Sequence, residues 1–346
     1  MAWAGLRLCA ASKFSRTQPK KIALISNDAL GNYAAINPLA QMLKSSWPSA
    51  ELSYFSGSRV GFISERTPLF DHFYPVLGEG PRFFGHFTQK FDLVINVENT
   101  AMAKALATFL CEDDGFLIGP CVAPDGRGDL AFEPGWRGDL WEDKEWIAAD
   151  IHQKYEAIHT GYIGELFARL AYQSGPIPQY QMPKEDPGEV PDVLMATAAS
   201  LDSKLWPIEN WIRLVKKIAD RGLTVGLIGA KPSDQGKFWK GANDEDRLVA
   251  ESPIEDLRGV FSLTQVVGAL DKANFVVTLD NGILHFACST QTPTIGIFRH
   301  GIHRLWAPPV PNLVVVEPGF GRKVSEITVE EVFRQLTEFQ IPLGNF

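Results

Sequence analysis

Apolar residues fall at two spacings along this chain, and the two alternate. "KIALISND", Lys21 to Asp28, is a compact apolar run and predicts a buried strand. Behind it Ala35, Leu39, Met42 and Leu43 recur at helical spacing until Pro48 ends the pattern. "AELSYFSGS" predicts a second strand, and "FDLVINVEN", Phe91 to Asn99, a third. An apolar helix over Ala101 to Leu110 and a fourth strand at "GFLIGP" follow.

The pattern lapses from Asp125 to Lys144, which reads as a surface excursion, and then predicts one helix over "ADIHQKYEAIHTGYIGELFARLAYQ". Pro183, Pro187 and Pro191, set among charges, mark 179–192 as a linker. Beyond it the alternation restarts. Strands are predicted at "VLMATA", "LTVGLIGA", "NFVVTLD", "TPTIGIF" and "NLVVVEP". The helices are "PIENWIRLVKKIADRG", closed by Gly222, then "SLTQVVGALDKA", "GILHFACST" and a terminal "TVEEVFRQLTEF".

Strands alternating with helices imply parallel βαβ units. The expected fold class is therefore α/β, with two Rossmann-like, doubly wound parallel-sheet domains facing a central cleft. The expected divisions are a basic tail at 1–20, a first domain at 21–178, the linker at 179–192 and a second domain at 193–346. The terminal helix is free to pack back on the first domain. A length of 346 residues fits two cores better than one.

Composition narrows the function classes. Apolar residues make up 45% and charged residues 21%, as in ordinary globular proteins. A net charge of −8 argues against binding nucleic acid, which needs a basic face. The four cysteines form no CxxC pair and no histidine cluster has metal-ligand spacing, so no metal site is expected. Cytoplasmic thiols are the simplest reading. No apolar run is long enough to span a bilayer. The basic N-terminal segment could hold the protein peripherally on an anionic inner-membrane surface.

Open parallel sheets bind ligands at the carboxyl ends of their strands. In "VVTLDNGILHFA" a strand ends at Asp280, and Asn281, Gly282 and His285 open the next helix. The amides of Asn281, Gly282 and Ile283 would point at a ligand, and a helix N-terminus suits a diphosphate. A plain N-cap with a surface histidine is the alternative. Ser200 and Lys204 follow another strand end, where the lysine can balance phosphate charge without a metal. "GLIGAKPSD" adds a third such site at Gly229.

Together these pieces carry a resemblance. "LWPIENW", "GLIGAKPSD" and the long stretch from Asp256 to Phe298 resemble glycosyltransferase family 9, the ADP-heptose:lipopolysaccharide heptosyltransferases. "DALGNYAAINPLAQMLKSSWPSAELSYFSGSR" and "FDLVINVENTAMAKAL" match more loosely. The resemblance implies a GT-B fold, a first domain for a glycan or glycolipid acceptor and a second for a nucleoside-diphosphate sugar such as ADP-heptose. It implies inverting transfer in lipopolysaccharide or related glycan synthesis, with the nucleotide sugar as co-substrate and no cofactor. It puts Lys204, Asp280, Asn281, Gly282 and His285 on the donor's diphosphate and sugar, with Ser200 on the same wall. It puts Gly229, Lys231, Phe261 and Ser262 around the nucleoside.

The chain departs from the family at three points. The family carries Gly-Asp in the first strand-to-helix loop, its Asp being the general base, where this sequence has Gly31-Asn32. An amide cannot take the proton, so Asp28, or Glu98 after the third strand, is the expected base, with Asp28 the first choice. "FRHGIHRLW" makes the loop after Phe298 unusually basic, and Lys231 replaces an acid near the ribose. A protein that binds the nucleotide sugar without transferring it, or a nucleotide-sugar epimerase of the same fold, are the alternative readings.

Overall fold

A computed structural model describes residues 7–8, 18–77, 85–148, 150–235 and 240–338. The chain forms two compact units. The first comprises Met1–Trp146 with Asp150–Gln181, the second Ile147–Ala149 with Met182–Phe346.

The first unit holds β1 (Arg7–Leu8), β2 (Lys21–Ile25), β3 (Glu51–Gly57), β4 (His72–Leu77), β5 (Phe91–Asn96) and β6 (Cys111–Ile118). Their order is β1-β6-β5-β2-β3-β4, and every pairing is parallel. Ile22 to Ile25 are buried, as expected of a strand covered on both faces. The helices Leu30–Ser46 and Ala101–Leu110 connect neighbouring strands. Thr100 caps the second of them, its hydroxyl accepting from the Ala103 amide at 3.3 Å.

The second unit holds β7 (Val193–Ala196), β8 (Val225–Leu227), β9 (Ile254–Asp256), β10 (Phe275–Leu279), β11 (Thr294–Ile297) and β12 (Leu313–Val316), in the order β12-β11-β10-β7-β8-β9. All pairings are again parallel. Its core gathers Val193, Trp211, Val215, Val277 and Ile295. In both units the first strand lies between the second and the fourth of its Rossmann half. The winding therefore reverses between β2 and β5, and between β7 and β10. Those two switch points are where such sheets open to a ligand.

The structure adds detail to these expectations and corrects the long helix. Arg7–Leu8 pair with Phe116 and Leu117 as an edge strand, so the basic tail is not wholly unstructured; its other positions through 17 lie outside the described residues. The single helix over 149–173 is two, Ile151–Lys154 and Ile163–Leu170. Between them Gly161 has φ 73°, and the buried Glu165 carboxylate accepts the amides of His159 and Thr160 at 3.0 and 2.6 Å. The excursion at 125–144 contains a helix, Trp136–Glu142. The terminal helix Val329–Glu338 buries Val329, Val332 and Leu336 in the second unit's core. Trp206 ties its entry, donating Nε1–H to the Ile327 carbonyl at 2.8 Å.

The proline-rich segment is not loose. Asn37 exchanges two hydrogen bonds with the Gln181 backbone, at 2.8 and 2.9 Å, within the first unit. In the second, Glu185 donates its amide to the Thr264 carbonyl and Lys272 pairs with Asp186 at 2.6 Å.

Candidate functional site

The second unit's switch point is organised by one amide. Asn281, two residues past the end of β10, donates Nδ2–H to the Ala198 carbonyl after β7 at 2.9 Å, joining the two strand ends. Its Oδ1 accepts the amides of Ile283 and Leu284 at 2.9 and 3.3 Å and the Thr278 hydroxyl at 3.2 Å. Asn281 is thus the N-cap of the short helix Gly282–Ala287. The expected presentation of the Ile283 amide to a ligand is corrected, because that donor is already taken.

With the loop so fixed, Asp280 turns toward Lys204, which closes the turn Asp202–Lys204. Lys204 Nζ lies 2.7 Å from Asp280 Oδ2 and donates to the Asp280 carbonyl at 3.0 Å. One of the ammonium's three donors thus serves the Asp280 carbonyl, while the buried Oδ2 is met by charge at close range but accepts no hydrogen bond. Asp280 is 4% exposed, so this is a buried ion pair.

His285 sits behind the pair, 1% exposed, with the Trp306 ring edge-on at 6.3 Å. Burial drives its pKa from 6.5 down to about 4; Asp280 opposes the shift and Lys204 adds to it. The imidazole is neutral at pH 7. Below pH 6.5 the unfolded chain binds a proton that the folded histidine refuses. Stability is therefore complete above that pH and falls as pH drops toward 4. Unfolding free energy should decline by about 2 kcal/mol from pH 7 to 5 through this group, and His285→Gln should flatten that slope in urea titrations.

The other donor-side residues lie at neighbouring strand ends. Ser200 is exposed on the loop after β7, and Lys231 is exposed after β8. Gly229 accepts the Gly259 amide at 2.8 Å, and a Cβ on Gly259 would collide with the Lys231 side chain. Phe261 is half-buried. Ser262 caps Leu263–Lys272 in a capping box with Gln265, so its hydroxyl has a structural task.

The loop after β11 is less free in charge than its sequence suggests. Glu317, after β12, accepts the Gly301 amide at 2.6 Å and faces His303 Nδ1 at 2.9 Å and His300 Nδ1 at 3.6 Å. One carboxylate braces the expected basic loop. Glu317 was legible as a strand-end residue, whereas Trp306 had no signal.

In the first unit the switch point brings Asn27, Asp28 and Glu98 to the ends of β2 and β5. Asn27 donates Nδ2–H to Glu98 Oε2 at 2.7 Å, and its Oδ1 accepts the Ala29 amide at 3.0 Å. Glu98 Oε1 accepts the Asn99 amide at 3.1 Å. Asp28 lies instead against Gly57, where a Cβ would come within 2.5 Å of its own Cβ. Gly57→Ala should displace Asp28 and lower stability by about 1–3 kcal/mol, read as a fall in unfolding midpoint. Asn32 is half-buried in the first turn of Leu30–Ser46. Sequence reasoning passed over Asn27, although its place beside Asp28 at a strand end marks it.

Among the described residues no three or more His, Cys, Asp or Glu side chains are grouped to hold a metal ion, and no helix is long and apolar enough to cross a membrane.

Comparison with known proteins gives this geometry a context. The family model "Glycosyltransferase family 9 (heptosyltransferase)" matches residues 170–326. Lipopolysaccharide heptosyltransferase 1 of Escherichia coli O18:K1:H7 is 29% identical over 160 residues, 44% of this chain and 44% of that protein. The chain aligns with less than half the length of the curated relatives it matches. Among solved structures, a glycosyl transferase family 9 protein of Veillonella parvula superposes with TM-score 0.70 at 15% identity, covering 92% of this chain and 96% of its own. E. coli heptosyltransferase WaaC with ADP gives 0.65 at 20% identity, covering 92% and 99%. Those two share the fold of this chain.

Proposed function

We propose that the protein is an inverting, metal-independent glycosyltransferase of lipopolysaccharide-core or related glycan synthesis, a reading supported by the match of residues 170–326 to the family 9 model. The donor is a nucleoside-diphosphate sugar, with ADP-heptose the first candidate because WaaC, a fold relative, binds ADP. The observation that carries the reading is the Lys204–Asp280 pair backed by His285 at a sheet switch point inside the family segment.

In this mechanism Lys204 and the neutral His285 stabilise the leaving diphosphate with fixed dipoles and one positive charge. The Gly282 region lets the donor approach the backbone. Asp280 holds donor-sugar hydroxyls and orients the lysine, while Ser200, Gly229, Lys231 and Phe261 border the nucleotide. Ser262 supports that wall through its cap. Glu98 takes the acceptor proton ahead of Asp28, because Asn27 fixes its carboxylate while Asp28 packs on Gly57. The acceptor is a glycan or glycolipid, handled by a cytoplasmic protein working beside the inner membrane.

Asn32, where the family has its base, favours one second reading: a protein that binds the nucleotide sugar without transferring it. A thermal-shift panel of ADP-, GDP-, UDP-, CDP- and dTDP-sugars without metal tests the donor assignment. A ligand at one hundred times its Kd raises stability by about 2.7 kcal/mol. A shift with one nucleotide series supports the donor site, and none with any series sinks it. Sugar transfer, followed by mass spectrometry of the acceptor, separates the enzyme from the binding protein.

A further inference from the structure

The excursion at 125–144, idle in the mechanism above, builds a depression at the carboxyl end of β6. It encloses about 310 Å³ counted out to its mouth, of which about 20 Å³ is free to the centres of water molecules. A single hydroxyl or hydroxymethyl group therefore enters its throat, with the rest of a ring outside. Gly119, at φ 94°, lines it, and a Cβ there would collide with the Asn96 carbonyl at 1.9 Å and lie 3.3 Å from the Trp141 ring.

The walls are aromatic with one acid and one base. Phe132 and Trp141 stack at 5.6 Å and 9°. The Arg137 guanidinium lies 4.3 Å from the Trp136 ring centre and 3.9 Å from that of Tyr172, and its Nε donates to the Arg169 carbonyl at 2.9 Å. Two rings and a carbonyl thus fix the guanidinium plane. Tyr172 has φ 61°, the sole non-glycine in the left-handed region among the described residues. A side chain there costs on the order of 1 kcal/mol, and strain of this kind collects at functional positions. Glu133 lines the same depression, half-buried, its carboxyl pushed above the usual range by burial while Arg137 pulls it down.

Aromatic walls with a few fixed polar groups are the make-up of a small-molecule site. Glu133 accepts and Arg137 donates, so adjacent hydroxyls of one ring can satisfy both. The two charges cancel, which disfavours an anion. We propose that this depression is a subsite for a neutral sugar unit, held by one hydroxyl or hydroxymethyl between Glu133 and Arg137 and by aromatic contact with Trp141. This deepens the glycosyltransferase reading by giving the acceptor side a sugar contact, and its identity as an acceptor subsite rests on that reading.

The test is saturation-transfer NMR on the full chain with methyl glycosides of neutral hexoses and heptoses, and with methyl glucuronide as an acidic probe. The expected result is saturable binding of a neutral glycoside, with Kd on the order of millimolar, weakened about tenfold in Glu133→Gln. That variant keeps the side-chain shape; Trp141→Phe, which keeps a ring, should weaken binding as well. No saturable neutral sugar, equal binding in Glu133→Gln, or binding of the glucuronide alone overturns the proposal. The nucleotide-sugar thermal shift, measured on the same variants, reports the second unit separately. If that shift is absent while the sugar binds, the donor reading fails and the subsite stands.

Discussion

Lys204→Ala is expected to abolish detectable donor binding and to destabilise the second unit at the same time. Two effects act through one side chain. The diphosphate loses its nearest cation, and removal of one fixed charge-stabilising donor lowers turnover by about 10²–10³-fold. Asp280, 4% exposed, also loses the ammonium at 2.7 Å. A buried carboxylate stripped of its partner costs about 3–5 kcal/mol. The single variant alone would confuse binding with unfolding. The pair Lys204→Met with Asp280→Asn separates them, since it removes both charges and should recover most of the stability. If that double variant still gives the full nucleotide-sugar thermal shift, Lys204 is a structural cation and the donor assignment fails.

The central strands were legible because their residues are apolar on both faces. "IALI" in β2 and "FVVTL" in β10 carry no competing pattern. The edge strand β12 was legible as "NLVVVEP", but the edge strands β4 and β9 were not, for a reason that is also physical. β4, "HFYPVL", contains Pro75, and β9 is only "IED". Edge strands need fewer apolar residues, and a proline or a charge there protects against stray pairing. The periodicity of 149–173 misled because Gly161 and the Glu165 carboxylate break the backbone inside a helical pattern. Charge was misjudged at 299–304 because Glu317 arrives from the end of another strand.

The site shows the same division. Asp280, Asn281 and His285 announce themselves beside a strand end, but the distribution of tasks among them does not. Asn281 looks like a ligand donor in sequence and proves to be a cap and strand tie. Lys204 and Asp280 read as separate contacts and form one ion pair. A side chain's spare hydrogen-bonding capacity depends on neighbours distant in sequence, so it is set by the fold.

Glu98→Gln should leave nucleotide-sugar binding intact and reduce turnover by about 10²–10⁴-fold, the usual range for a lost general base. The reasons lie in the loop. Asn27 is held in one orientation, since its Oδ1 accepts the Ala29 amide and only its Nδ2 can face Glu98. That bond and the Asn99 amide aim the carboxylate, and neither donor is a cation. Asn27→Ala should then lower turnover with little change in donor KM, because the base is present but unaimed. Asp28→Asn should have a smaller effect, as Asp28 rests on Gly57. Asn32→Asp is the decisive companion. If Glu98 is the base, a new carboxylate at 32 adds little to the wild type and partly rescues Glu98→Gln. If Asn32→Asp instead raises the activity of the wild type by orders of magnitude, Glu98 is not the base, and the native protein binds a sugar nucleotide that it scarcely turns over.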